Sequence, residues 1–235
     1  MIDFHSHFLP AIDDGADCLE TSLAMLCESR LQGVDLIFAT PHFYADEDDP
    51  ARFLERRNAA YELVREAIER EGKVEAYPEI RLGAEILFFP GMCEAEELRE
   101  LMMGGTSFLL VEPPMIPWRG SMLDEIAMTG ENLDCMPVIA HVDRFMRILR
   151  DNSLFERVEQ RRMLIQVNAD FFIRESSRRR ALGCLRQDRI HFLGSDCHNL
   201  TNRPPNLGDA AAIIRESGLE ELHVAMDARN REYIE

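Results

Sequence analysis

Seven short apolar runs punctuate the chain: "MIDFH", "VDLIFAT", "IRLGAEI", "SFLLVE", "PVIAH", "LIQVN" and "IHFLGSD". Stretches of helical period lie between most of them. Leu23, Leu26, Cys27 and Leu31 share one helical face between the first two runs. Phe53, Tyr61, Val64 and Ile68 share another within "ARFLERRNAAYELVREAIEREG", which Gly72 ends. Shorter helical patterns are "EAEELRELMM", "MLDEIAM", "SLFERVEQRR" and "SRRRALGCLRQ", and the tail is helical with a break near Gly218. Seven strands alternating with helices predict an α/β fold with a parallel sheet. Periodicity alone does not separate a closed barrel from an open doubly wound sheet.

The residues that end these runs favour the barrel. His5, His42, Glu85, Glu112, His141 and Asp196 stand there, spaced 37, 43, 27, 29 and 55 residues apart, and Asn168 divides the last interval. In a (β/α) barrel the C-terminal strand ends converge on one mouth, so these side chains would meet. Five of the seven histidines lie at or just past such an end, in "HSH", "TPH", "IAH" and "SDCH". His191, which opens a strand, and His223, in the tail helices, read as structural or surface residues. Singly, a His or Glu after a strand is more often a cap than a ligand; jointly the pattern predicts a metal site.

Imidazole with carboxylate, and no thiolate set, suits Mn²⁺, Zn²⁺ or Fe²⁺. The nine candidates are His5, His7, Asp14, His42, Glu85, Glu112, His141, Asp196 and His198, too many for one ion. A carboxylate bridging two ions about 3.5–4 Å apart is the usual arrangement for phosphoryl chemistry. Asp14 is placed to serve a further ion with His42 and His198.

At 235 residues the chain suits a single domain, 1–235. Its formal charge of −17, from 43 acidic and 26 basic residues, repels polyanions and argues against nucleic-acid binding. Lys73 is the only lysine and looks like a helix end, so chemistry needing an active-site lysine has no other source. Six cysteines without a C-x-x-C pair, and no signal peptide, indicate reduced thiols and a cytoplasmic protein. The longest apolar runs are far short of membrane-spanning length.

Together "DFHSHFLPAIDDGA", "IFATPHF", "GAEI", "LLVEPP", "PVIAHVDR" and "GSDCHNLTNRP" resemble the PHP (polymerase and histidinol phosphatase) superfamily. Within it they are most similar to the manganese-dependent protein tyrosine phosphatases encoded with Gram-positive capsule and exopolysaccharide genes. The resemblance runs from Met1 to about Arg203. It implies a distorted (β/α)₇ TIM-like barrel with three metal ions at the C-terminal strand ends, Mn²⁺ foremost, with Zn²⁺, Fe²⁺ or Mg²⁺ as alternatives. On matching positions, His5, His7, Glu85 and Asp196 would hold one ion. Glu85 would bridge to a second held by Glu112 and His141, and Asp14, His42 and His198 would take the third. Arg144 and Arg203 match the family's two arginines. Departures fall at Phe43, Val142, Asp143 and Asp170 to Phe172, none of them a ligand.

The implied activity is hydrolysis of phosphotyrosine, with a tyrosine-rich tail of a bacterial tyrosine kinase as the substrate implied by kinship. Four ligand carboxylates (−4) under three divalent ions (+6) leave +2, matching a phosphate dianion. Metal-activated water would attack phosphorus while Arg144 and Arg203 clamp the equatorial oxygens. A phenolate leaving group needs little protonation, and Asp143 is a weak candidate for a general acid. Trp118, in "EPPMIPWRGSM", could flank an aryl ring or simply pack.

Alternatives are a small-molecule phosphatase such as histidinol phosphatase, a metal-dependent amidohydrolase, and a non-catalytic phosphopeptide-binding module. A cysteine phosphatase enters through "CHNLTNR" and "CEAEELR", both C-x₅-R, which read as chance. The cluster "RESSRRRALGCLRQDR" reads as a solvated helix face, with docking of an acidic partner tail as the alternative.

Overall fold

The computed structural model describes residues 1–234. In chain order the elements are β1 (Ile2–Ser6), α1 (Leu19–Leu31), β2 (Leu36–Ala39), β3 (His42–Phe43), α2 (Pro50–Glu71), β4 (Glu79–Leu82), β5 (Glu85–Leu87) and β6 (Phe108–Glu112). There follow α3 (Gly120–Leu133), β7 (Met136–Ile139), α4 (Val142–Leu149), α5 (Leu154–Glu159), β8 (Leu164–Asn168), α6 (Asp170–Ile173), α7 (Glu175–Arg186), β9 (Phe192–Gly194), α8 (Leu207–Glu216) and α9 (Glu220–Glu232).

Every strand pairing is parallel. The seven apolar runs become nine strands because the second bends at Thr40–Pro41 and the third at Gly83–Ala84. Proline has no N–H to give a ladder, which breaks the run. The pairing survives both bends: Gly83 N–H donates to Ala39 O at 2.8 Å and Glu85 N–H to Pro41 O at 3.0 Å. The sheet therefore curls through β1, β2 with β3, β4 with β5, and on through β6, β7, β8 and β9. Asp196 N–H then donates to His5 O at 2.8 Å, and a bridge joins Ser6 to Cys197, returning the last strand to the first. The barrel expectation holds, in distorted form.

Two apolar layers result. Ile2, Phe4, Leu36, Phe38, Phe108, Leu110, Val138 and Phe192 fill the lumen, with Ile234 packed against them. Phe4 lies 5.1 Å from the Phe38 ring and 4.3 Å from that of Phe192. The alternate strand residues, such as Ile37, Leu109, Val111, Ile139 and Val167, meet the helices outside. Helix α2 shows how local chemistry sets an element. Asp49 accepts the Arg52 N–H at 3.0 Å as N-cap, Pro50 opens the first turn, and Gly72 closes it at φ +65°.

Three helical segments differ from the sequence reading. "EAEELRELMM" forms 3₁₀ turns, over Met92–Glu94 and Glu96–Leu101, where an α-helix was expected. Helices α4 and α6 were not foreseen: eight and four residues are too few for periodicity to stand out. Both begin within two residues of a barrel-mouth side chain. Among the described residues no helix is long and apolar enough to cross a membrane.

Candidate metal centre

Strand β1 has to place Ile2 and Phe4 in an apolar lumen and His5 and His7 in a polar mouth, although strict alternation puts residues 4 and 5 on opposite faces. A register shift resolves this. Asp3 stands opposite Ile37 and Ser6 opposite Ala39, so three steps along β1 match two along β2. The extra residue reverses the facing parity and turns the odd-numbered histidines inward. The following loop folds back beneath them, with Ala16 N–H donating to His7 O at 3.0 Å. Gly15 permits this approach, since a Cβ there would lie 2.0 Å from His7 O.

Glu85, wholly buried at the start of β5, is the hub. Its Oε2 lies 3.1 Å from His5 Nε2, 3.2 Å from His7 Nε2 and 3.1 Å from His42 Nδ1. Its Oε1 lies 2.9 Å from His141 Nε2, which is 3.3 Å from Glu112 Oε1. Asp196 Oδ1 is 3.7 and 3.6 Å from the Nε2 atoms of His5 and His7. On the other flank, Asp14 Oδ1 is 3.4 Å from His42 Nε2 and 3.2 Å from His198 Nε2. All nine candidates therefore meet at one mouth.

Their donor atoms form four overlapping groups, each within 4.8 Å: His7, Asp14, His42 and His198; His5, His7 and Asp196; His5, Glu85 and His141; His42, Glu85 and Glu112. The atoms are close without satisfying each other. His5 Nε2 faces His7 Nε2 at 3.1 Å, while Glu85 Oε2, His42 Nδ1 and His198 Nε2 are buried without a hydrogen-bond partner. Lone pairs that converge on shared points and leave one another unpaired are the donor set a divalent cation requires.

Outer partners orient the rings. His5 Nδ1 lies 3.3 Å from Gln166 Oε1, His7 Nδ1 2.8 Å from Asp13 Oδ2, and His198 Nδ1 3.0 Å from the Asp196 carbonyl. In the neutral ring, an Nδ1–H donated to each acceptor leaves Nε2 as the lone pair aimed at the centre. Two mouth residues take left-handed backbone: His141 at φ +30° and Asp196 at φ +54°. For non-glycine residues such angles are costly and cluster at functional sites.

The surplus of carboxylates shows in the titration. Burial disfavours the imidazolium of His7, yet Asp13 and Glu85 outweigh it and raise the pKa to about 10. His141 is raised to about 10 in the same way, against burial, by Glu112 and Glu85. Burial likewise opposes ionisation of Glu85 and Asp196, but His5 and its neighbours hold both well below the usual carboxylate range. The adjacent imidazoles of His198 and His42 lower Asp14. The site seeks positive charge.

Arg203 Nη2 donates to Asp196 Oδ1 at 2.6 Å, and Arg144 Nη1 lies 3.9 Å from Asp196 Oδ2. The loop carrying Arg203 is tied by Asn199 Oδ1, which accepts the N–H groups of Thr201, Asn202 and Arg203. Both guanidinium groups open on a cavity of about 580 Å³ that includes Asp196, Asn168, Met146, Phe171 and Pro204.

The other residues singled out in the sequence lie outside the donor cluster. Cys197 is fully buried, and burial and Asp3 push its thiol well up, so it is no nucleophile. Arg99 donates to the carbonyls of Leu133 and Asn132, so no phosphate loop forms around Cys93. Trp118 packs on Phe145 at 5.0 Å and is 5% exposed, which makes it core and not an entrance wall. His191 accepts the Ile165 N–H, and His223 is buried away from the mouth, both structural. Burial raises Asp143 to about 6, and its Oδ1 accepts the Asn168 N–H at 2.9 Å. Phe43 is core, and of the departures at 170–172 Asp170 and Phe171 line the cavity. Asp13 and Gln166 were not foreseen as partners; "DD" offered two equivalent acids, and Gln166 lies within an apolar run.

The family model for capsular polysaccharide synthesis, CpsB/CapC, matches residues 1–234. "Tyrosine-protein phosphatase CpsB" of Streptococcus agalactiae is 29% identical over 94% of this chain and 92% of its own length. The protein of the same name from Streptococcus pneumoniae is 30% identical over 91% and 89%. Among solved structures, one from work on YwqE of Bacillus subtilis and CpsB of S. pneumoniae, described as unique metal-dependent tyrosine phosphatases, superposes with a TM-score of 0.85 at 23% identity. It covers 100% of this chain and 94% of that one. With its fold shared and its whole described length matched, the chain belongs to the CpsB/CapC capsular polysaccharide synthesis family.

Proposed function

We propose that this chain is a metal-dependent phosphomonoesterase that hydrolyses phosphotyrosine in a protein, as its relatives' names state for them. The observation that carries it is Glu85 surrounded by four imidazoles, with the Arg144 and Arg203 guanidinium groups at the adjoining cavity. His5, His7, Glu85 and Asp196 would hold one cation, Glu85, Glu112 and His141 a second, and Asp14, His42 and His198 a third. Mn²⁺ is the first choice, with Zn²⁺, Fe²⁺ or Mg²⁺ as alternatives. Such cations supply Lewis-acid charge and an ionised water at neutral pH.

The chain's own groups do the rest. Gln166 and Asp13 keep the imidazoles aimed inward. Arg203, relieved of its bond to Asp196 when that carboxylate is otherwise engaged, donates with Arg144 to the equatorial phosphoryl oxygens, where charge gathers in the transition state. Met146, Phe171 and Pro204 give the aryl ring an apolar floor. A phenolate of pKa about 10 leaves without a strong acid. Asp143 serves here as a positioning residue, holding the Asn168 backbone. Residues 1–235 would act as one catalytic domain on a bacterial tyrosine kinase tail, in the cytoplasm, where six free cysteines stay reduced.

The test is turnover by metal-stripped protein on phosphotyrosine peptide, phosphoserine peptide and histidinol phosphate after Mn²⁺, Zn²⁺ or Mg²⁺ is restored. Phosphotyrosine should be preferred, with EDTA abolishing activity and iodoacetamide sparing it. Comparable rates on histidinol phosphate would assign a small-molecule phosphatase. Binding without turnover would assign a phosphopeptide module.

A further inference from the structure

The protein carries −17 overall, yet one wall of the mouth is strongly basic. The cavity beside Asp196 is lined by Arg144, Arg147, Arg174, Arg179, Arg180 and Arg203, against three acids, Asp143, Asp170 and Asp196. Two of those acids are already engaged: Asp170 pairs with Arg174, and Asp196 faces the metal centre. Arg147, Arg179 and Arg180 are exposed and make no ion pair or hydrogen bond among the described residues. Arg147 lies one turn beyond Arg144 on α4, while Arg179 and Arg180 belong to α7, so the charge comes from two separate helices facing one cavity.

A solvated helix face explains one helix. It does not explain two elements turning unpaired arginines toward the same opening in a chain this acidic. The mouth's second cavity, of about 550 Å³, supplies the contrast. It is lined by Asp13, Asp14, Glu47 and Asp48, and both of its arginines, Arg52 and Arg56, lie against Asp48, at 3.6 and 2.6 Å. No arginine without an ion pair lines that side among the described residues, so an anionic polypeptide is drawn to the other.

Building on the phosphatase reading, we propose that Arg147, Arg179 and Arg180 form a recognition groove for acidic side chains flanking the phosphotyrosine of the substrate polypeptide. The occupant is an acidic peptide segment in extended form, its phosphotyrosine directed toward Arg144 and Arg203 and its neighbouring carboxylates toward the outer arginines. These three residues set specificity; none touches the reacting phosphorus.

The experiment compares kcat/KM of the metal-loaded full chain on two phosphotyrosine peptides differing only in flanking residues, Asp/Glu in one and Asn/Gln in the other. The wild type should prefer the acidic peptide by tenfold or more at low salt, and the preference should shrink as salt rises. In the Arg147→Glu/Arg179→Glu/Arg180→Glu variant it should vanish, and a peptide flanked by Lys should become the better substrate. That reversal requires a folded groove, so loss of structure cannot imitate it. Equal kcat/KM for the two peptides in the wild type, or an unchanged ratio in the variant, would overturn the groove. If no peptide is turned over with any metal, the phosphatase reading fails separately. Fluorescence anisotropy of the same labelled peptides then decides the groove, by whether wild type alone holds the acidic one more tightly.

Discussion

Asp13→Asn probes whether the mouth is held by its outer partners or by the ligands alone. Asp13 Oδ2 accepts from His7 Nδ1 at 2.8 Å and the His42 N–H at 3.1 Å, and Oδ1 accepts the Gly15 N–H at 2.9 Å. Asparagine keeps the shape, loses the charge and has one acceptor oxygen in place of two. Hydrogen bonds to a charged group contribute ~1.5–3 kcal/mol against ~0.5–1.5 for neutral ones. Either Gly15 or the His7 and His42 pair must also face an NH₂ group. Loss of orientation at His7 and of support for His42 should cost about 1.4–2.7 kcal/mol in cation binding, the 10–100-fold typical of such partners. Calorimetric titration of metal-stripped protein with Mn²⁺ would show this as a weaker Kd, with turnover at saturating metal falling only a few-fold. Circular dichroism would verify that the variant is folded. An unchanged Kd in a folded variant would refute the role given to Asp13 and, with it, the claim that Nε2 of His7 is oriented from behind.

Arg203→Ala should lower kcat by about 10²–10³-fold, as loss of one transition-state donor does, while metal content measured by elemental analysis stays the same. Gly194→Ala should cost about 1–3 kcal/mol of stability and weaken metal binding together, because a Cβ there would lie 2.6 Å from His5 Cβ and 2.8 Å from Gln166 Nε2; a Tm and Kd equal to wild type would contradict the close packing. In the metal-free protein His7 and His141 have pKa values of about 10, above the ordinary value of 6.5. Their stabilising contribution is complete below pH 6.5 and is lost as pH rises through 10, so the metal-free Tm should fall from pH 7 to 10. Protons must leave these rings for a cation to bind, so Mn²⁺ affinity should rise over the same interval; calorimetry in buffers of different ionisation enthalpy counts them.

The class of fold and most of the candidate ligands at the mouth follow from the order of residues alone. The seven runs and the polar residue ending each were legible because a strand and its return helix have characteristic lengths, and because metal-competent side chains are few in kind. His5, His42, Glu85, Glu112, His141 and Asp196 could be picked out by position alone, and the family motifs added the arginines. Tertiary structure decided the rest. The β1 bulge that turns His5 inward beside Phe4 depends on pairing with β2. The choice of Asp13 behind His7 and Asp14 in front of His198 depends on a loop folding onto Gly15. The burial that disqualifies Cys197, the packing that claims Trp118, and the convergence of α4 and α7 arginines on one cavity arise between segments distant in the chain. Periodicity records which face of an element is apolar; it carries no record of which side chains from other elements will stand opposite, and hydrogen bonding, burial and charge are all properties of that opposition.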